Sequence, residues 1–254
     1  LLMSIMPAYT AHIGIIREPM SKLYSAFSYY GLPRTLKIKD KTDPVGVFLA
    51  NASSYLQNHQ GERGVDTVKD NVVLEFGYQE PENFTAFLEF TESKFIVIIL
   101  ELLNESLIVL KRKLCWTIKD VLYMTLRKTK GRPTKTKSDN HISLYKKVSP
   151  LDFKFYAYFR GVMEREITYQ GPDLQQEVDW FEDVLNDTKV FCIDFCQNIR
   201  TAISEGQNRS SVGLVLQQQK KIAATKWEPG FYITGYECVI MSIKPAAFAN
   251  AQIA

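Results

Sequence analysis

The chain is poor in histidine: His12, His59 and His141 are its complete set. None of them lies near Cys192 or Cys196, whose i, i+4 spacing would otherwise suit a metal, so a zinc centre is not expected. There is no glycine-rich or glutamine-rich tract, no internal repeat and no Walker signature. No basic segment leads into an apolar one at the start, so no signal peptide is visible. The most apolar run, Phe95 to Leu100 with Leu102 and Leu103, is broken by Glu101 and falls far short of the ~20 residues a membrane span needs. A net charge of +3 is too small to argue for nucleic acid. An initiator methionine is also missing, which favours a piece of a longer protein whose targeting segment lies upstream of Leu1.

What is present suffices for a folded domain. The 254 residues are 46% hydrophobic, enough for one sizeable core. Cys115, inside "LKRKLCW", reads as a small core residue. A single disulfide from Cys192 or Cys196 to Cys238 is open if the compartment is oxidising. Glycosylation triplets at Asn51, Asn83, Asn186 and Asn208 hint at a lumenal protein, while Asn104 looks occupied by structure.

His12 to Ile16 reads as a short buried strand, and a helix runs from Pro19, at its first position, to about Tyr30. That helix has an apolar face of Met20, Leu23, Phe27 and Tyr30 and a small polar face of Ser21, Ser25 and Ser28. Residues 44–57 suggest a second helix and 57–71 a polar loop containing His59. "KFIVIIL" is a strand covered on both faces, as in a parallel sheet. A helix with Asn104 as its N-cap follows. Residues 149–171 are the best-marked helix, capped by Ser149, begun by Pro150, ended by Gly171 and striped by Leu151, Phe155, Tyr158, Phe159 and Val162. "PDLQQEVDWFEDVL" continues as another helix, and "GFYITGYECVIM" suggests an edge strand. The expected architecture is an open α/β fold, a parallel sheet flanked by helices on both faces.

In such sheets ligands bind beyond the carboxyl ends of the strands, where Arg17 and Glu101 stand. Arg17 can offer a planar fork of donors to a phosphate, and Ser25 lies roughly 9 Å further along the helix axis, within reach of a shared anion. The alternative is a surface ion pair of Arg17 with Glu18 or another residue, with Ser25 merely letting the helix pack close to the sheet. Glu101 is a candidate base or sugar-orienting group, or a cap for the helix near Asn104. His12 reads as a core residue, and His59 and His141 as loop residues with no partner in view. "LRKTKGRPTKTK" (126–137) is a solvated basic loop unless its glycine lets the backbone approach an anion.

"IIREPMSKLYSAFSYY" resembles the 3′-phosphate-binding segment of sulfotransferases, and its Arg-Glu-Pro form is similar to the galactose-3-O-sulfotransferases. "FIVIILELLNESLIVLKRKLCWTIKDVLY" and "LDFKFYAYFRGVMEREITYQG" resemble later blocks of that family in the expected order; "WEPGFYITGYE" is a looser match. The resemblance covers most of residues 5 to 200, and Asn104 stands where the family has an aspartate. "KTKGR" is similar to the Lys-Gly-Arg loop of glycosaminoglycan sulfotransferases.

The resemblance implies a P-loop-type sulfotransferase fold, with residues 1–254 forming the C-terminal part of a single domain (1–206 matched, 207–254 less so). Its first strand and the loop that cradles the 5′-phosphosulfate would lie before Leu1, with the catalytic residues and a single-pass type II Golgi anchor. The donor would be 3′-phosphoadenosine 5′-phosphosulfate, with Arg17 and Ser25 on its 3′-phosphate and Lys130, Gly131 and Arg132 closing over it. No metal is called for. The acceptor would be the 3-hydroxyl of galactose on a glycolipid or glycan, and the chain alone would be inactive. Rival readings are a glycosaminoglycan-type sulfotransferase and a non-catalytic lumenal module that kept the fold.

Overall fold

The computed structural model describes residues 6–7, 10–81, 83–124, 138–205 and 217–242. The chain divides into two compact units, residues 1–106 with 131–169, and residues 107–130 with 170–254.

In the first unit, strand β1 (His12–Ile16) leads into α1 (Pro19–Tyr29). There follow α2 (Leu32–Thr35), α3 (Pro44–Ala50), α4 (Ala52–Asn58), α5 (Asn71–Glu75) and α6 (Phe84–Lys94). Strand β2 (Phe95–Ile99) pairs with β1 in parallel, Ile16 opposite Ile99. A 3-10 turn (Leu100–Leu102) enters α7 (Leu103–Leu114), whose residues from Leu107 on belong to the second unit, so Asn104 lies inside the first helical turn rather than capping it. Later come α9 (Asp139–Val148) and α10 (Pro150–Gln170). Helix α8 (Ile118–Val121) belongs to the second unit.

The parallel pairing agrees with the sequence, but β1 is not buried as expected. Ile16 is 3% exposed, whereas Ile13 is 40% and Ile15 is 64% exposed. Alternation explains the split: His12, Gly14 and Ile16 share one face of the strand and Ile13 and Ile15 the other. The first face meets aromatic rings. A Cβ on Gly14 would sit 2.3 Å from the Phe76 ring, which is why glycine stands there. Phe76 in turn contacts Phe95 and Phe155. In β2, Val97, Ile98 and Ile99 are buried, as a two-sided strand requires.

The core of this unit gathers Met20, Leu23 and Phe27 from α1 with Leu32, Phe48 and Tyr145. The expected helix over 44–57 is broken at Asn51, whose backbone leaves the helical range (φ −133°, ψ 34°). The 59–70 loop is not wholly polar: Val65 and Val68 are buried, and the Tyr145 hydroxyl donates to the Val68 carbonyl at 2.6 Å.

Helix α10 has the boundaries its Pro150 and Gly171 announce, but its capping is non-local. The Asp70 carboxylate accepts the Leu151 and Asp152 N–H groups at 2.8 and 3.1 Å, and Ser149 holds Asp70. Asp152 reciprocates by accepting the Val72 and Val73 N–H groups at the start of α5. Each carboxylate satisfies the orphan donors of the other's helix. The buried stripe of α10 is accordingly rotated to Asp152, Phe155, Tyr156, Phe159 and Met163.

In the second unit, α11 (Pro172–Ser204) is followed by an antiparallel pair, β3 (Gln219–Ile222) and β4 (Phe231–Thr234), and by α12 (Gly235–Ser242). The expected C-terminal edge strand is therefore half strand, half helix. A Cβ on Gly235 would lie 2.3 Å from the Phe195 ring, so this corner too needs a glycine. Cys192 bonds Cys238, and Cys196 stays free. Cys115 is not a core residue. It is exposed and left-handed (φ 53°) just past α7, where the Trp116 N–H closes back on the Lys111 carbonyl. Among the described residues no helix is long and apolar enough to cross a membrane.

Candidate active site

The first unit carries a cavity of about 290 Å³ at the corner where β1 becomes α1. Arg17, the residue after the buried Ile16, lines it together with Ser25. The corner is built by local rules. Pro19 occupies the first helical position, and the Glu18 carboxylate caps the helix by accepting the Met20 and Ser21 N–H groups at 3.1 and 2.8 Å. Glu18 is thus a cap, not the ion-pair partner of Arg17. Among the described residues Arg17 has no hydrogen-bond or ion-pair partner.

Lys22, Ser25 and Tyr29 stand at i, i+3 and i+7 on α1 and line the cavity along one helical face, with Tyr30 beside them. The opposite wall comes from Thr67, Asn71 and Glu75. There the Asn71 amide donates to the Glu75 carboxylate at 2.7 Å. Lys22 reaches Asp152, which is 1% exposed, at 3.2 Å. Burial raises the Asp152 pKa, against the opposing pull of Lys22 and the Val73 N–H. The cavity therefore presents one unpaired guanidinium, one amine anchored from behind, and one hydroxyl.

Glu101 does not line this cavity. It sits at the end of β2, where both carboxylate oxygens accept the Glu18 N–H at 3.1 and 3.2 Å and one accepts the Tyr156 hydroxyl at 3.0 Å. Burial, with Glu101 beside it, raises the Tyr156 pKa to about 12 in spite of a hydrogen bond from Arg160. The histidines have other work. His12 is half-buried against Phe95. His59 has a partner after all, Glu62 at 2.8 Å. His141 is not in a loop: it is buried on α9 between the Tyr24 hydroxyl at 2.8 Å and Asp43 at 3.0 Å. None of them lines the cavity. Lys130, Gly131 and Arg132 lie outside the described residues. Among the described residues no cluster of His, Cys, Asp and Glu is arranged to hold a metal ion.

Sequence reasoning missed Lys22 and the whole 67–75 wall. The i, i+3 relation of Lys22 to Ser25 was a usable signal for the first. The wall joins α1 across about 40 residues and left no local trace.

The family model described as galactose-3-O-sulfotransferase matches residues 2–209. The chain belongs to the galactose-3-O-sulfotransferase family. It is 25% identical to the galactosylceramide sulfotransferase of Mus musculus over 194 residues, 72% of this chain and 44% of that protein. It is 28% identical to the galactose-3-O-sulfotransferase 2 of Homo sapiens over 176 residues, 66% of this chain and 43% of that one. The galactose-3-O-sulfotransferase 3 of Bos taurus is 29% identical over 135 residues, 49% of this chain and 31% of its own length. The chain thus spans under half the length of these galactose-3-O-sulfotransferases, and the span matched by the family model takes in the β1–α1 corner and α10. No solved structure matches the chain.

Proposed function

We propose that this chain supplies the nucleotide-gripping part of an enzyme that moves a sulfuryl group from 3′-phosphoadenosine 5′-phosphosulfate to the 3-hydroxyl of galactose on a glycolipid or glycan. The observation that carries the reading is the cavity shared by Arg17 and Ser25, in which the guanidinium has no partner among the described residues. A phosphate supplies what such a guanidinium lacks, a planar pair of acceptor oxygens. The Ser25 hydroxyl donates to a further oxygen, and Lys22 adds charge from the same helix. Tyr29 and Tyr30 give the cavity apolar surface suited to the sugar and base that carry the phosphate.

In the reaction the acceptor oxygen forms a bond to sulfur while the bond from sulfur to the 5′-phosphate oxygen breaks. The acceptor proton goes to a base, and adenosine 3′,5′-bisphosphate leaves. The residues named here hold the 3′ end of that leaving nucleotide and so fix the sulfur in line with the acceptor. The base is not among them. On this reading the whole protein is a P-loop-type sulfotransferase of the Golgi lumen, held by a membrane anchor, and residues 1–254 are one part of its domain. The Cys192–Cys238 disulfide suits an oxidising compartment.

Thermal unfolding with and without adenosine 3′,5′-bisphosphate tests the reading. At a hundredfold excess over Kd a ligand that binds only the folded state stabilises it by about 2.7 kcal/mol. The wild type should gain that stabilisation and Arg17→Ala should lose most of it. If the two melt alike in the presence of the nucleotide, the site is not a donor site, and a binding module of another kind is left.

A further inference from the structure

The cavity raises a mechanical question: what aims an arginine that has no partner? A long unpaired side chain keeps its direction only if its backbone root is fixed. The root of Arg17 is the β1–α1 corner, and Glu101 holds that corner by long-range hydrogen bonds from the Glu18 N–H. In the parallel pair Ile16 lies opposite Ile99, so the chain leaves both strands side by side. Glu101 then turns both oxygens onto the Glu18 N–H at 3.1 and 3.2 Å. Behind Glu101 stands Tyr156, whose hydroxyl donates to it at 3.0 Å; Arg160 donates to that hydroxyl at 3.3 Å and is itself held by Glu164 at 2.8 Å. The line Arg160–Tyr156–Glu101–Glu18 therefore ties α10 to the residue next to Arg17.

Resting on the donor-site reading above, we propose that Glu101 is a positioning residue for Arg17 and not the base that takes the acceptor proton. A base must reach the acceptor hydroxyl inside the donor site. Both Glu101 oxygens already face donors, and Glu101 stands outside the cavity wall. The task these bonds perform is geometric. They demand an acceptor at this position, not a negative charge.

That distinction is testable in the whole protein. Glutamine keeps a carbonyl oxygen for the Glu18 N–H, and its amide can donate to the Tyr156 oxygen. Glu101→Gln should therefore keep kcat and the Kd for adenosine 3′,5′-bisphosphate within about twofold of wild type, whereas Glu101→Ala should weaken that Kd about three- to tenfold. The double variant Arg17→Ala/Glu101→Ala should bind no more weakly than Arg17→Ala alone. Tyr156→Phe, a milder change that keeps the ring, should shift Kd in the same direction by about two- to threefold, and it decides the matter if Glu101→Ala does not fold. A loss of about a hundredfold or more in kcat for Glu101→Gln at unchanged Kd makes Glu101 the base and overturns the inference. So does a wild-type Kd in Glu101→Ala, or effects of Arg17→Ala and Glu101→Ala that simply add. A Kd that ignores Arg17→Ala overturns the donor-site reading and this inference with it; a Kd that depends on Arg17 but not on Glu101 overturns the inference alone.

Discussion

Two basic clusters, one in each unit, have opposite fates. In the second unit the cations of the cluster are matched. Lys111 is buried and bonds Glu177 at 2.8 Å and Glu228 at 3.1 Å. Arg112 adds Glu177 and Asp173, both at 2.7 Å, and Lys226 reaches Asp173 at 2.7 Å. Trp227 completes the set by donating its ring N–H to Asp173. In the first unit Arg17 has no partner among the described residues, and Lys22 has one that stands behind it. The lesson is that matched charge ties elements together, whereas unmatched charge beside a cavity is available to a ligand. The sequence places all these residues in similar-looking basic or mixed stretches, and only the fold separates the two uses.

The comparison predicts that the two clusters fail differently. The largest effect belongs to Lys111. Its removal leaves Glu177, 1% exposed, and Glu228, 6% exposed, without their shared amine. Losing one partner of a buried ion pair costs about 3–5 kcal/mol, so Lys111→Met should lower the urea midpoint by that equivalent while nucleotide affinity of the folded protein is kept. Arg17→Ala should do the reverse. Its stability should change by less than about 0.5 kcal/mol, as for an exposed residue without partners. Its nucleotide binding should fall by about 1.5–3 kcal/mol, the range for hydrogen bonds to a charged group.

Lys22 lies between these cases, because it serves both the cavity and the buried Asp152. Lys22→Met should lower stability and affinity together, each by about 1 kcal/mol, read by urea unfolding and by calorimetric titration. If it moved affinity alone, the Asp152 contact would have no structural part. The smallest effect is in acid. Asp173 is held down to about 2, from an ordinary 3.8, by hydrogen bonds from Lys226, Trp227 and Arg112. A carboxylate depressed by folding contributes stability above its ordinary value, and that contribution is lost as pH falls toward the folded value. The unfolding midpoint of the wild type should therefore slope downward between pH 3.8 and about 2, and Asp173→Asn should flatten that part of the slope.

Local patterns made much of the first unit legible. Strands β1 and β2 followed from apolar runs, α1 from Pro19 and its periodicity, and α10 from Pro150 and Gly171. What failed was mostly non-local. Nothing near Ser149 says that it acts through Asp70, and nothing near Lys22 says that Asp152, 130 residues on, will hold it. His141 looked like a loop residue because "SDNHIS" is polar, yet α9 buries it against Tyr24 and Asp43. Cys115 reads from sequence as a small core residue, and the left-handed backbone that ends α7 turns it outward. Of the candidate site, Arg17 and Ser25 were legible because strand end and helix spacing are local facts. The wall that faces them was not, since it comes from a segment with no periodicity of its own. Glu101 was legible as a residue at a strand end, but its contact with the Glu18 N–H depends on the register between β1 and β2.

The central claim is that this cavity recognises a 3′-phosphate. Calorimetric titration of the whole protein with two nucleotides differing only in that group, adenosine 3′,5′-bisphosphate and adenosine 5′-monophosphate, tests it most directly. The account predicts that the bisphosphate binds at least about tenfold more tightly, a difference of about 1.4 kcal/mol, and that Arg17→Ala erases the preference. Equal affinities in the wild type, or a preference that survives Arg17→Ala, would contradict it.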